Sequence, residues 1–227
     1  MKKLSIIFAS VLFAGAMVFA QVGPAGVKDV VIEDSEIKTL QLAYELADYG
    51  YANESASALL QAAEILAQIV KQPAKVTAKQ EGKKGKDASG GKKSFNPSDL
   101  VKDAKRLAGK DKTMLAWAND VEKSLKTITR GASGGPLYDS SFAYANGGTT
   151  YYDWYFDGGK PAEVGIHSMD GADLDLYIYD ENENLIAYDE RATEGAYCSF
   201  YPKWTGIFRV IIKNNAKYNA TFEVYTN

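Results

Sequence analysis

Residues 171–190 read GADLDLYIYDENENLIAYDE. Leu174, Leu176 and Ile178 alternate with Asp173, Asp175, Tyr177 and Tyr179. A period of two sends the aliphatic set to one side of a strand and the acidic and aromatic set to the other. Glu181-Asn182-Glu183-Asn184 supplies a turn, with the asparagines expected to take the left-handed backbone. Alternation resumes at Leu185, with Ala187 on its side and Ile186 and Tyr188 opposite. The stretch is a β-hairpin with one face for a core and one face left for solvent, an ion or a ligand.

The same pattern continues on both sides of the hairpin. Short alternating runs at 151–156, 162–167, 173–180, 185–189, 196–200, 207–213 and 218–225 are broken by Gly, Asn, Asp and Pro. Such spacing predicts an antiparallel β-sandwich over residues 137–227. Upstream the period changes to three and four. Ile37, Leu40, Ala43, Tyr44, Ala47 and Tyr51 form one helical stripe, capped by Asp34 or Ser35. Ala58, Leu59, Ala62, Ile65, Leu66 and Ile69 form a second, capped by Asn53 or Ser55 and stopped by Pro73. Two more helices are expected near 97–109 and 111–129, the first with Asn96 as cap, Pro97 at its first position and Gly109 at its exit. Met114, Leu115, Trp117, Ala118, Val121, Leu125 and Ile128 mark the apolar face of the last helix. Residues 74–94 are rich in Lys and Gly and read as a disordered basic insert. GASGGP at 131–136 marks a boundary. The expected fold class is therefore α+β with two domains. A small helical domain of αα-hairpin type (28–130, with the insert at 74–94) precedes an antiparallel β-sandwich (137–227).

Residues 1–20, MKKLSIIFASVLFAGAMVFA, have a charged start, an apolar run and short side chains at the cleavage positions. That is the form of a Sec signal peptide, with the mature chain starting at Gln21 and exported to a periplasm or the extracellular space. No later stretch is long and apolar enough to span a bilayer. The net charge of −3 gives no basis for nucleic-acid binding. With one cysteine, Cys198, no intramolecular disulfide can form, so the fold must stand on its core. Alternation in AYCSF places Cys198 as a small buried hydrophobe.

The order of segments carries a resemblance. A Gly-rich entry (GGTTYYDWYFDGGKPAEVGI) precedes the acidic hairpin, then a Pro-containing turn and hydrophobic strand (YPKWTGIFRVIIKN), then a last strand (YNATFEVYTN). Residues 140–227 resemble the bacterial pre-peptidase C-terminal domain, most specifically in the D-x-D-L-Y-x-Y-D run at 173–180. The resemblance implies a jelly-roll-like sandwich that serves secreted enzymes as an accessory module. Some relatives in collagenases bind matrix proteins and calcium, and others aid secretion or are removed on maturation. The helical half of this chain is too small for the usual protease catalytic domains, so the resemblance implies a binding or structural module.

Two candidate sites follow from the residues. Asp170, Asp173 and Asp175, with Asp189 across the hairpin, could supply carboxylates to calcium, although the loop lacks the EF-hand spacing. The other reading is that they are solvated or bond the loop backbone. Tyr151 and Tyr155 share one strand face, and Tyr177 and Tyr179 share another. Together they could form a surface that stacks on sugar rings or meets a protein. Catalytic signals are sparse. There is no nucleophile elbow, phosphate loop or dinucleotide fingerprint, and with one His and one Cys the familiar zinc patterns are missing. The expected function is exported, non-enzymatic binding or scaffolding at the cell envelope or outside it, with cell-wall or extracellular polysaccharide or protein as partner. One alternative is a small secreted hydrolase using His167 with Cys198 or a carboxylate. Another is a calcium-stabilised structural module.

Overall fold

The computed structural model describes residues 32, 35–69, 72–89, 93–127 and 136–227. The expected signal peptide, Asp34, Ile128 and residues 131–135 of the boundary lie outside that set. The helices are α1 (Glu36–Ala52), α2 (Ala56–Gln68), α3 (Pro97–Ala108) and α4 (Lys112–Thr127). The strands are β1 (Gln72–Pro73), β2 (Lys79–Glu81), β3 (Leu137–Ala143), β4 (Thr149–Phe156) and β5 (Ala162–Ser168). They continue with β6 (Leu174–Tyr179), β7 (Leu185–Asp189), β8 (Gly195–Phe200), β9 (Gly206–Asn214) and β10 (Ala220–Thr226).

Local chemistry sets the helix starts. The Ser35 hydroxyl accepts from Lys38 N at 3.0 Å, Ser55 from Ala58 N at 3.3 Å and Asn96 Oδ1 from Ser98 N at 2.9 Å. Asp111 Oδ1 accepts from Thr113 N and Met114 N and so opens α4. Each acceptor satisfies an amide that the helix itself cannot. Gly109 ends α3 at φ 56°.

The strands form two five-stranded sheets. One has the order β1-β3-β10-β5-β8 and the other β2-β4-β9-β6-β7. Every ladder is antiparallel except the two-residue β1–β3 pair, which is parallel. Tyr152, Trp154, Phe156, Val164, Ile166, Leu174, Leu176 and Ile178 meet between the sheets with Phe200, Phe208, Val210 and Val224. The mixed α+β class is as expected. The strand β3 was not anticipated, because LYDSSFA carries too few apolar residues to stand out.

Residues 72–89 depart from the reading of a disordered insert. β2 pairs with β4, placing Lys79 opposite Tyr151. Ala74, Val76 and Ala78, two residues apart, pack against the sandwich core. Asn219 then ties the segment down, its Oδ1 accepting from Gly85 N at 2.8 Å and its Nδ2 donating to Gly85 O and Asp87 Oδ1. Composition hid this, because a strand at a sheet edge needs only a few small apolar side chains and its ladder bonds are made by backbone.

The two sheets differ in their outer faces. Every residue of β5 is buried, and six of the seven in β10. On that outer face Tyr225, Tyr138, Tyr197 and Met169 join the core of the helices, alongside Tyr44, Leu40, Leu59 and Leu100. Gly165 makes the docking fit: a Cβ there would lie 2.2 Å from the Tyr225 ring. β4, in contrast, alternates strictly between buried Tyr152, Trp154 and Phe156 and the more exposed residues between them. Among the described residues the layers run helices, first sheet, second sheet, and then a face that no further layer covers.

Candidate functional site

The uncovered face is built from register. Lys79 lies opposite Tyr151, Tyr151 opposite Ile211, Ile211 opposite Tyr177, and Tyr177 opposite Tyr188. The neighbouring row runs Asp153, Arg209, Tyr179, Leu185, and beyond it Tyr155 faces Ile207. Directly opposed residues project to the same side of a sheet. Tyr151, Tyr155, Tyr177 and Tyr179 therefore share one surface.

Within that surface the charges are paired. Arg209 forks onto Asp153, Nε to Oδ1 at 2.7 Å and Nη2 to Oδ2 at 3.0 Å. The Arg209 bond holds the Asp153 carboxyl below the usual carboxylate range. Arg209 Cζ lies 4.9 Å and Lys79 Nζ 5.6 Å from the centre of the Tyr151 ring, a cation–π arrangement that occupies it. The Tyr177 hydroxyl donates to Glu190 Oε1 at 2.6 Å and also approaches Asp175 Oδ2 at 3.2 Å, and its pKa is raised by burial and by these acids. Tyr155 differs from these rings. It is 68% exposed and lies beside Ile207, which is 52% exposed. The face thus has a locked, charge-paired centre and one open aromatic platform.

The four acids considered for calcium go to separate protein partners. Asp170 Oδ2 accepts from Thr221 N and Oγ1, and Oδ1 from Ser168 Oγ. Asp173 Oδ2 accepts from Asn215 Nδ2 at 3.4 Å, while its Oδ1 is buried without a partner. Asp175 Oδ2 faces Lys213 Nζ at 3.3 Å. Asp189 takes a fork from Arg191 and the Tyr197 amide. Among the described residues no three of them bring ligand atoms together.

His167 and Cys198 are on opposite sides of the first sheet, which removes the pairing considered for a hydrolase. Cys198 sits in the sandwich core at 0% exposure, its thiol pushed up by burial. His167 faces the helices, stacked 4.8 Å from Tyr44 and edge-on to Phe95 at 4.9 Å. Its carboxylate neighbour is Asp48 of α1, with Nε2 2.8 Å from Oδ2. Neither ring nitrogen makes a well-directed hydrogen bond. Lys93 Nζ donates to Asp48 Oδ1 at 2.6 Å and to Glu194 Oε2 at 2.8 Å. Burial alone would raise the Asp48 pKa, but His167 and Lys93 outweigh it and hold the carboxyl low. Sequence reasoning missed Asp48, Lys93 and Glu194, which lie far apart in the chain. One signal was present: Asp48 stands four residues after Tyr44, on the buried stripe of α1.

No protein-family model matches the chain, and no curated protein does. Solved structures with some similarity include the pre-peptidase C-terminal domain of a collagenase from Bacillus anthracis. It is 14% identical with a TM-score of 0.32, over 44% of this chain and 99% of that one. A periplasmic inhibitor of g-type lysozyme from Aeromonas hydrophila is 11% identical with a TM-score of 0.30, over 44% and 90%. TmCBM61 in complex with β-1,4-galactotriose is 12% identical with a TM-score of 0.27, over 45% and 77%. Likeness at this level assigns neither a family nor a ligand to this chain.

Proposed function

We propose that this chain is an exported, non-enzymatic binding protein whose uncovered tyrosine face docks a neutral polysaccharide of the cell envelope or extracellular space. The observation that carries the reading is Tyr155, a ring 68% exposed beside Ile207 on a sheet face that no other layer of the described residues covers. A flat ring on a rigid strand offers a stacking surface at little entropic cost. Lys79 and Arg209 share Asp153, and Lys213 meets Asp175, so among the described residues each of these cations on the face already has a carboxylate neighbour, which favours a neutral ligand over an acidic polymer. The helices cover the opposite sheet, which among the described residues leaves this face as a broad β surface open to a ligand. The charged, apolar start of the chain supports export.

The test is co-sedimentation of the full mature chain with insoluble cell wall, neutral and acidic polysaccharides and matrix proteins, with calcium and then with chelator. Binding to a neutral glycan, indifferent to chelator and reduced at least tenfold by Tyr155→Ala, supports the proposal. Tyr155 is exposed enough that the substitution leaves the fold intact. Binding that survives Tyr155→Ala, or that vanishes on chelation, overturns it.

A further inference from the structure

We propose a second site of a different kind, a zinc-class metal site at the junction of the helices and the sandwich, made by Asp48, His167 and Glu194. Their ligand atoms all lie within 4.8 Å of one another. The three come from separate elements: α1, the end of β5 and the turn before β8. His167 is the independent sign of a ligand. Its ring is 1% exposed, neither nitrogen makes a directed hydrogen bond, and Nε2 lies 2.8 Å from Asp48 Oδ2. Nε2 has only the poorly aligned contact with Asp48 and Nδ1 has no hydrogen-bond partner, and coordination would give Nε2 a well-aligned one.

The donor set selects the metal class. One imidazole nitrogen with two carboxylates suits zinc and its first-row neighbours, whereas calcium takes six to eight oxygens. Three protein ligands leave a fourth position for water, reached past Glu194 and Lys93, whose side chains are 39% and 27% exposed. The Lys93 ammonium now bridges the two carboxylates, where a divalent cation would place its charge. Two carboxylates and a neutral imidazole balance a divalent ion without Lys93. Metal binding therefore competes with Lys93, and the bound ion ties α1 to both β5 and the turn before β8.

The experiment is zinc titration of the tag-free full chain by calorimetry, with melting followed in parallel and cobalt(II) absorption used to read geometry. His167 is the chain's one histidine, so few other zinc sites compete. The expected result is one equivalent of zinc bound and a raised melting temperature. Cobalt should give the intense visible bands of four-coordinate N/O ligation. Glu194→Gln, at a partly exposed position that keeps an acceptor for Lys93, should weaken zinc at least tenfold. Lys93→Met should tighten it at least tenfold. Zinc binding unchanged by Glu194→Gln, no binding in either the natural chain or Lys93→Met, or a response to calcium in place of zinc would each overturn the site.

Discussion

Glu183 has a backbone φ of 61° in the turn of the acidic hairpin. The left-handed position in ENEN falls on this glutamate, not on either asparagine, because the turn is set by Asp180. The Asp180 carboxylate accepts from Asn182 N, Asn184 N and Asn184 Nδ2, each at 2.9 Å, and the Glu183 amide donates to Asp180 O. A side chain in that backbone region costs about 1–2 kcal/mol that glycine avoids. Glu183→Gly should therefore raise the unfolding free energy by about 0.5–1 kcal/mol in a urea titration. Burial raises the Asp180 pKa, but the bonds from Asn184 and Asn182 outweigh it and hold the carboxyl below the ordinary value of about 4. A depressed folded pKa stabilises fully above the unfolded value. The stabilisation from Asp180, and likewise from Asp153 with Arg209, should be present above about pH 4 and lost as pH falls through the lowered values. Melting scans from pH 6 to pH 2 on the natural chain and Asp180→Asn read this: the gap between the two should shrink across the acid limb. Cys198 makes a further residue-scale test. Fully buried and with its pKa raised, it should resist a disulfide reagent in the folded chain and react in full in denaturant.

At the scale of elements, α1 is held at several points along one side. Ser35 caps the helix and also donates to Glu163 Oε1 of β5 at 2.5 Å, and the Tyr197 hydroxyl donates to the same carboxylate. Gln41 accepts from the Tyr225 hydroxyl at 2.7 Å, Tyr44 donates to Glu223, and Asp48 meets His167. Ser35→Ala should cost more than the roughly 1 kcal/mol of an ordinary cap, about 2 kcal/mol, because it also strips a partner from a buried acid. Ser35→Asp keeps the cap but sets a second carboxylate against Glu163, so it should not rescue the loss. Chemical denaturation of both variants checks the pair. The helices themselves were legible: the stripe from Ile37 to Ala47 and the Asn96 cap are read from local spacing, which also narrowed the first two caps to Asp34 or Ser35 and Asn53 or Ser55, of which the structure uses Ser35 and Ser55. The strands β1 to β3 were not. β1 is only two residues long and precedes the Lys- and Gly-rich stretch, β2 lies within that stretch and β3 in a polar one, and each gains its place from backbone pairing to strands distant in the chain.

For the whole molecule, the helical core and the first sheet share Tyr225, Tyr138 and Tyr197. That predicts one cooperative transition. Far-UV circular dichroism and tryptophan fluorescence should give coincident urea curves, although Trp117 lies in α4 and Trp154 in β4. Gly165→Ala, which drives a Cβ into the Tyr225 ring, should lower the common midpoint without splitting the transition. The same sharing predicts that residues 136–227 alone would expose Tyr225, Glu163, Glu223 and His167, all buried in the intact chain.

The amino-acid order by itself determined the class of the fold, the seven sandwich strands from β4 to β10, the helix stripes with their capping regions and the side of β4 that carries Tyr151 and Tyr155. Those are consequences of period and of interactions within a few residues, which chemistry spells locally. Tertiary structure alone decided that the helices cover the first sheet and leave the second open, that Arg209 and Lys79 occupy Tyr151 while Tyr155 stays free, and that His167 turns away from Cys198 toward Asp48. Each of these depends on which distant strands become neighbours and on which side of a sheet a layer settles. A period of two names the two faces of a strand, but only the packed molecule says what each face meets.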